Sequence, residues 1–258
     1  MILIGTSGYS FPDWVGPFYP EGTAKGKMLE FYVKHFPTVE VNATYYRIPP
    51  PSTLHAMEQK TPEGFQFVVK AHHDMTHKQS LDRELYASFG RAVDPLLMAG
   101  KLNGILAQFP YAFRRTAENE AFLVELKKVL PADAPLFVEF RHKSWIKDDV
   151  FPWMESQGLE FVSVDEPDLP GLVPPVARAT GAVAYVRMHG RNKVNWWQPN
   201  SGMKEYAGPA ASTRRIRPLD DFGPLFAKDA AGEVGPRPWS PGDRYDYLYS
   251  EAELKEWV

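Results

Sequence analysis

Phe65-Gln66-Phe67-Val68-Val69-Lys70 is a short apolar run; Leu81, Leu85, Phe89 and Val93 follow at helical spacing; Asn103-Gly104-Ile105-Leu106-Ala107-Gln108-Phe109 is a second apolar run. The outer pieces read as strands and the middle as an amphipathic helix. A strand, a helix and a strand in this order make the two strands parallel, because the crossover returns the chain to the same end of the sheet.

The alternation extends in both directions. Ile2–Gly5, Thr38–Asn42, Pro135–Phe140, Glu160–Asp165 and Val183–His189 bring the strand candidates to seven. Met28, Leu29, Tyr32, Val33 and Phe36 mark one further helix, and Phe122, Leu123, Leu126 and Leu130 behind a Thr116 N-cap mark another. No Gly-x-Gly-x-x-Gly follows any strand, so the fingerprint of an open dinucleotide-binding sheet is absent. Polar residues recur instead at the strands' C-terminal ends, where barrel active sites lie. The expected fold class is α/β, a TIM-type (β/α) barrel. No eighth strand candidate follows the seventh, so the barrel is expected to lack its last strand and to leave strand one exposed beside strand seven unless the Tyr245–Tyr249 segment or another chain fills the gap.

A length of 258 residues, 44% hydrophobic and 14% aromatic, suits one domain over 1–258, burying roughly 70–75% of the unfolded chain's surface. Proline, at 24 residues, is about twice its usual ~5%. It clusters with glycine across 199–243, which reads as a long insertion loop of the kind that forms functional lids. A Tyr-rich segment follows, and Ser250-Glu251-Ala252-Glu253 is a capping box that opens a helix.

A formal charge of −3, from 29 Lys and Arg against 32 Asp and Glu, provides no global basic field for nucleic acid or an anionic membrane. The absence of cysteine excludes disulfides, thiolate metal sites and cysteine nucleophiles. There is no apolar stretch of ~18 residues to span a membrane. Met1-Ile2-Leu3-Ile4-Gly5 lacks a secretory pattern, so a cytoplasmic location is expected.

Five segments together resemble the YecE-like family, domain of unknown function 72. They are Ile4-Gly5-Thr6-Ser7-Gly8-Tyr9-Ser10 with Asp13-Trp14 and Gly16-Pro17-Phe18-Tyr19-Pro20; Thr38-Val39-Glu40-Val41-Asn42-Ala43-Thr44-Tyr45-Tyr46-Arg47; Phe140-Arg141-His142-Lys143-Ser144-Trp145; Tyr185-Val186-Arg187-Met188-His189-Gly190-Arg191-Asn192; and Arg244 to Ser250. The likeness covers about 1–198 and 244–258. It implies a TIM-type barrel and carries no established reaction. The long insertion, and the missing helix and strand after the Tyr-rich segment, depart from the family pattern.

Side chains two apart on a strand share a face. With apolar residues turned outward against helices, the polar set turns inward. Parity then gathers Glu40, Asn42, Lys70, His72, Gln108, Glu139, Arg141, Asp165, Arg187 and His189 at the barrel mouth, with Ser163 beside Asp165. Buried charges on this scale need partners or a ligand. Either the set is a structural Arg–carboxylate network, or it is a ligand or catalytic site, which the number of polar groups favours.

Three carboxylates with one or two imidazoles suit a divalent metal that activates water or polarises an oxygen. Lys70 and the arginines argue the other way, since they neutralise the carboxylates without an ion. His189-Gly190-Arg191-Asn192 follows strand seven, where barrels often bind phosphate on a turn, and Arg191 would add a bidentate fork; the alternative is an ordinary strand exit. Trp196 and Trp197, with Tyr9, Trp14, Tyr45 and Tyr46, are candidates for stacking on bases or sugars, although core packing explains most aromatics. The other histidines of His72-His73-Asp74-Met75-Thr76-His77 read as solvated or capping. Thr213-Arg214-Arg215-Ile216-Arg217 reads as a solvated basic patch. Ser7 lacks the strand-to-helix elbow of a serine hydrolase.

The leading functional expectation is an enzyme acting on an anionic ligand, a phosphorylated sugar or nucleotide, at the C-terminal mouth. Glu40, Glu139 and Asp165 serve as acid/base groups or metal ligands, and Lys70 and His189 move protons. Asn42, His72, Gln108, Arg141, Arg187, Arg191, Asn192 and Trp196 bind substrate. Metal-assisted phosphoester hydrolysis is one version. Metal-free isomerisation or lyase chemistry, with Lys70 as a Schiff-base amine, is another. A non-catalytic module for nucleic acid or a metabolite is the third.

Overall fold

Seven parallel strands pair in the order of the sequence: β1 (Gly5–Ser7), β2 (Thr38–Val41), β3 (Gln66–Lys70), β4 (Leu102–Gln108), β5 (Leu136–Glu139), β6 (Leu159–Asp165) and β7 (Tyr185–Met188). The strand order never reverses, so there is no switch point of a doubly wound sheet. This computed structural model describes residues 1–193, 196–197, 226–228, 234–236 and 247–257. The 199–243 segment lies outside the described residues, the Thr213–Arg217 patch included, except for an antiparallel pair, β8 (Phe226–Lys228) and β9 (Val234–Pro236).

Among the described residues no backbone ladder joins β7 to β1, yet the sheet curls until they approach. Flat, the two edges would lie about 29 Å apart at ~4.8 Å per strand. Instead Arg187 on β7 reaches Glu40 on β2 and comes within 3.3 Å of Ser7 Oγ on β1. The fold is thus a barrel-like α/β arrangement whose interior is closed by side chains.

The ladder register fixes the inner face. Ser7 pairs with Glu40, Glu40 with Val68, Val68 with Gly104, Leu106 with Phe137, Gln108 with Glu139, and Val164 with Arg187. Val68, Leu106, Phe137 and Val162 are buried and fill the lower interior, where Phe137 meets the Tyr185 ring at 5.1 Å. Gly104 makes room for them: a Cβ there would fall 2.2 Å from the Phe137 ring. Polar groups take over above this layer. The outer face carries Val39, Val41, Phe67, Val69, Ile105 and Val138, all buried.

The helices are α1 (Met28–Tyr32), α2 (Ala43–Tyr46), α3 (Pro51–Gln59), α4 (His73–Thr76), α5 (Arg83–Met98), α6 (Ala117–Val129), α7 (Val150–Ser156) and α8 (Glu251–Lys255). Thr116 caps α6 through the Asn119 N–H, and Ser250 with Glu253 forms the expected capping box. Among the boundaries that differ from expectation are two element starts. Helix α5 starts behind an Asp82 cap that takes the Glu84 and Leu85 N–H groups, which leaves Leu81 outside the helix and 43% exposed. Strand β1 begins at Gly5 and not Ile2, because its ladder to β2 starts at the Gly5–Thr38 pair; Ile2 and Ile4 lie exposed before it. No helix among the described residues is long and apolar enough to cross a membrane.

Candidate functional site

Glu40 and Glu139 occupy the upper interior because each is on the inward parity of its strand, and Arg187 lies between them. Its Nε and Nη2 donate to the two Glu40 oxygens at 2.7 and 2.8 Å, and Nη1 donates to Glu139 Oε2. Ser7 Oγ donates to Glu40 Oε1 at 2.6 Å and the Tyr185 hydroxyl donates to Oε2. Burial pushes Glu40 up, but the charge and hydrogen bonds of Arg187, helped by Lys70 and Ser7, outweigh it and hold Glu40 down at about 2. Glu139 behaves likewise: burial opposes ionisation, and Arg141, Arg187 and His189 together keep its carboxyl well below the ordinary range.

Arg141 follows β5 and extends the network. It reaches Glu139 Oε1 at 2.8 Å and Glu166 Oε2 at 2.7 Å, lies 3.1 Å from His189 Nε2, and sits over the buried Trp196 ring at 5.6 Å. His189 Nε2 is 3.0 Å from Glu139 Oε1. Burial, reinforced by Arg141, pushes the His189 imidazole down to about 3 and keeps it neutral. Glu166 takes the opposite course: burial dominates, the Glu139 charge adds to it, and the carboxyl rises to about 7 despite Arg141.

Lys70, the last residue of β3, lies at the upper rim. Its Nζ donates to Gln108 Oε1 at 2.8 Å and sits 4.7 Å over the Tyr45 ring. Burial first, then the Arg187 charge, lowers it to about 8, with Glu40 and Glu139 opposing. Tyr45 reaches the rim because α2 follows β2 directly, and its hydroxyl lies 3.3 Å from His77 Nε2. Loss of hydration at the rim, and then the charge of Lys70, push His77 down to about 4, although its surface is exposed. Asn42 Nδ2 donates to Ser7 Oγ at 2.6 Å, while its buried Oδ1 has no partner among the described residues.

Asp165 corrects the parity argument. Beta6 pairs Val164 with Arg187 and Asp165 with Met188, so Val164 faces inward and Asp165, with Ser163, faces the other side. There Asp165 takes both a bidentate contact from Arg191, at 2.9 and 2.6 Å, and hydrogen bonds from the Tyr249 hydroxyl and Trp257 Nε1. These donors outweigh burial and lower its carboxyl. Arg191 also reaches Glu256 at 2.7 Å, so its fork is already filled by carboxylates. The expected phosphate turn is engaged as well: the Gly190 N–H donates to Tyr249 at 2.7 Å, and its positive φ of 82° places Tyr247 where a Cβ would stand. Asn192 is partly buried in the turn that follows.

His72 does not join the mouth, because β3 ends at Lys70 and the parity ends with it. Its Nδ1 caps α4 through the Asp74 N–H, and it lines a separate groove with Tyr46, Arg47 and Leu85. His72, His73 and Asp74 have donor atoms within 4.8 Å of one another. Yet Lys78 Nζ lies 2.6 Å from Asp74, and His73 Nδ1 lies 3.1 Å from the Tyr45 carbonyl. This set suits capping better than a metal. In the mouth, all four oxygens of Glu40 and Glu139 accept hydrogen bonds or ion pairs, so a divalent ion would have to displace Arg187. Glu166 and His77 were not among the expected site residues. Glu166 continues the inward parity of Val162 and Val164, which is the signal that could have found it; His77 depends on α4, for which a four-residue run offers no period.

A sequence model for the family described as protein of unknown function DUF72 matches residues 3–258. The UPF0759 protein YunF of Bacillus subtilis (strain 168) is 37% identical over 214 residues, covering 78% of this chain and 74% of that protein. The UPF0759 protein YecE of Escherichia coli (strain K12) is 30% identical over 144 residues, 55% of this chain and 49% of that one. The crystal structure of a DUF72 family protein from Thermotoga maritima superposes with a TM-score of 0.76 at 34% identity, over 99% of this chain and 84% of that one. One from Enterococcus faecalis gives 0.69 at 28% identity, over 80% and 76%.

Proposed function

The chain belongs to the DUF72 family, and from its strand ends we propose an enzyme of TIM-barrel type that holds a small anionic compound, a phosphorylated sugar or nucleotide, at the C-terminal mouth. Lys70 carries this reading. Among the described residues its ammonium has no carboxylate within ion-pair distance, and its hydrogen bond goes to the neutral amide of Gln108. A half-buried cation without a counter-ion is costly, and an anion arriving there would remove that cost.

The local charge count agrees. Arg141, Arg187 and Lys70 bring three positive charges against the two of Glu40 and Glu139, with Glu166 only half ionised near its value of about 7 and His77 and His189 neutral. The excess is about half a positive charge at neutral pH, and it lies toward Lys70, since Arg187 is neutralised from both sides. Metal-free acid–base chemistry fits this set better than metal-assisted hydrolysis, because the mouth carboxylates are committed to guanidinium. Lys70 and the neutral His77 are the groups placed to hold and move a proton, and Gln108 and Asn42 Oδ1 offer neutral polar contacts.

Titration of inorganic phosphate and then sugar phosphates, followed by melting temperature and calorimetry, tests the proposal. Stabilisation at millimolar ligand that Lys70→Gln abolishes and Arg191→Ala leaves in place supports it. No heat and no shift for any of these anions, with the protein folded, would overturn it.

A further inference from the structure

Resting on that reading of the mouth, we propose that Lys70 is a covalent amine, forming an imine with a substrate that carries both an anionic group and a carbonyl, such as an oxo acid or a keto or aldehyde sugar phosphate. Three features of its placement argue for this. First, its backbone is held: β3 is paired on both sides, and Thr44 Oγ1 donates to the Lys70 carbonyl at 2.6 Å. Second, the acceptor for Nζ is an amide oxygen. Gln108 Oε1 can accept from either an ammonium or a neutral amine, and being neutral it favours the ammonium far less than a carboxylate there would. One N–H is taken by Gln108 and the Tyr45 ring centroid lies 4.7 Å away, and no carboxylate among the described residues lies within ion-pair distance of the nitrogen.

Third, the surroundings release the proton. Glu40, Glu139, Arg141, Arg187 and His77 are the titratable groups that act on Lys70, from β2, β5, two residues past β5, β7 and the residue after α4. Burial and the arginines outweigh the carboxylates, and the amine falls to about 8. At pH 7 about a tenth of such an amine is neutral, against roughly three in ten thousand for an ordinary lysine.

The step balances without an oxidant or reductant. The ammonium gives one proton to water, and the amine lone pair attacks the carbonyl carbon to give a carbinolamine. The carbinolamine hydroxyl takes that proton back and leaves as water, while the nitrogen forms a protonated C=N bond. Overall, one ammonium and one carbonyl give one protonated imine and one water.

Glyoxylate, the smallest compound with both groups, is the probe. The full chain is incubated with it and sodium cyanoborohydride at pH 7, and the reduced carboxymethyl-lysines are mapped by mass spectrometry. Lys70 is expected to be modified at least tenfold faster than Lys128, whose side chain is 62% exposed, and inorganic phosphate is expected to slow Lys70 and not Lys128. Lys70→Arg should keep its melting temperature and lose only the fast site; the wild-type ratio stands alone if that variant does not fold. Equal labelling of the two lysines overturns the imine proposal. If phosphate still stabilises the protein in that case, the anion site survives the failure; fast labelling that phosphate does not slow would overturn the anionic part of the substrate.

Discussion

Replacing Arg187 by Met removes the cation that lies between two carboxylates, of which Glu40 is 5% and Glu139 0% exposed. The side chain keeps much of its volume, so packing changes little and the loss is electrostatic. Breaking a buried ion pair by deleting one partner costs ~3–5 kcal/mol, because the other charge stays buried. With an unfolding entropy of about 2.1 cal/mol/K per residue over 258 residues, that lowers the melting temperature by about 6–9 °C. The loss must also depend on pH. In the wild type Glu40 is held down at about 2, so its stabilising share is full above its unfolded value near 4.5 and fades as pH falls from there toward 2. Without Arg187, burial dominates and raises Glu40, so acid relieves the variant by protonating the orphaned carboxyl. Thermal melts of both proteins between pH 4 and 8 should therefore show the largest gap at pH 7–8, closing toward pH 4. A gap under about 2 °C at pH 7.5, or one that is constant across the range, would refute the assignment of Arg187 as the charge on which both carboxylates depend.

Glu166 has the opposite sign: raised to about 7, it favours the folded state below 4.5 and loses that share as pH rises through 7, so Glu166→Gln should flatten the fall in melting temperature between pH 5 and 7. Asp165→Asn removes the charge that accepts from Arg191, Tyr249 and Trp257. It should cost about 2 kcal/mol and speed hydrogen exchange across 247–257, while phosphate binding at the mouth is kept; unchanged exchange would show that Asp165 does not anchor the segment. Gly104→Ala places a methyl group 2.2 Å from the Phe137 ring and should cost ~1–3 kcal/mol by overpacking, read from urea denaturation; an unchanged midpoint would contradict the inner-face register of β4.

The seven strands were legible because each is a short apolar run between helix-period stretches, and the inner positions of Glu40, Lys70, Gln108, Glu139, Arg187 and His189 follow from strand parity. Asp165 was not legible. Every residue of β6 from Leu159 to Asp165 is buried, so no alternation of exposure distinguishes the two faces, and the rule that a polar side chain faces inward fails there. What makes an outward Asp165 tolerable are Arg191, Tyr249 and Trp257, which lie 26, 84 and 92 residues away along the chain. The same contacts explain why Arg191 and Gly190 resembled an anion site: the fork and the N–H are real, but Asp165, Glu256 and the Tyr249 hydroxyl supply their acceptors. The rim positions of Tyr45 and His77 depend on α2 and α4, each four residues long, too short to leave a period.

A crystal structure grown in phosphate is the most direct test of the mouth as an anion site. The account predicts a phosphate within hydrogen-bond reach of Lys70 Nζ, above the Arg187 pair and beside Gln108. A phosphate seated on Arg191 in place of Asp165, with none at Lys70, would contradict it.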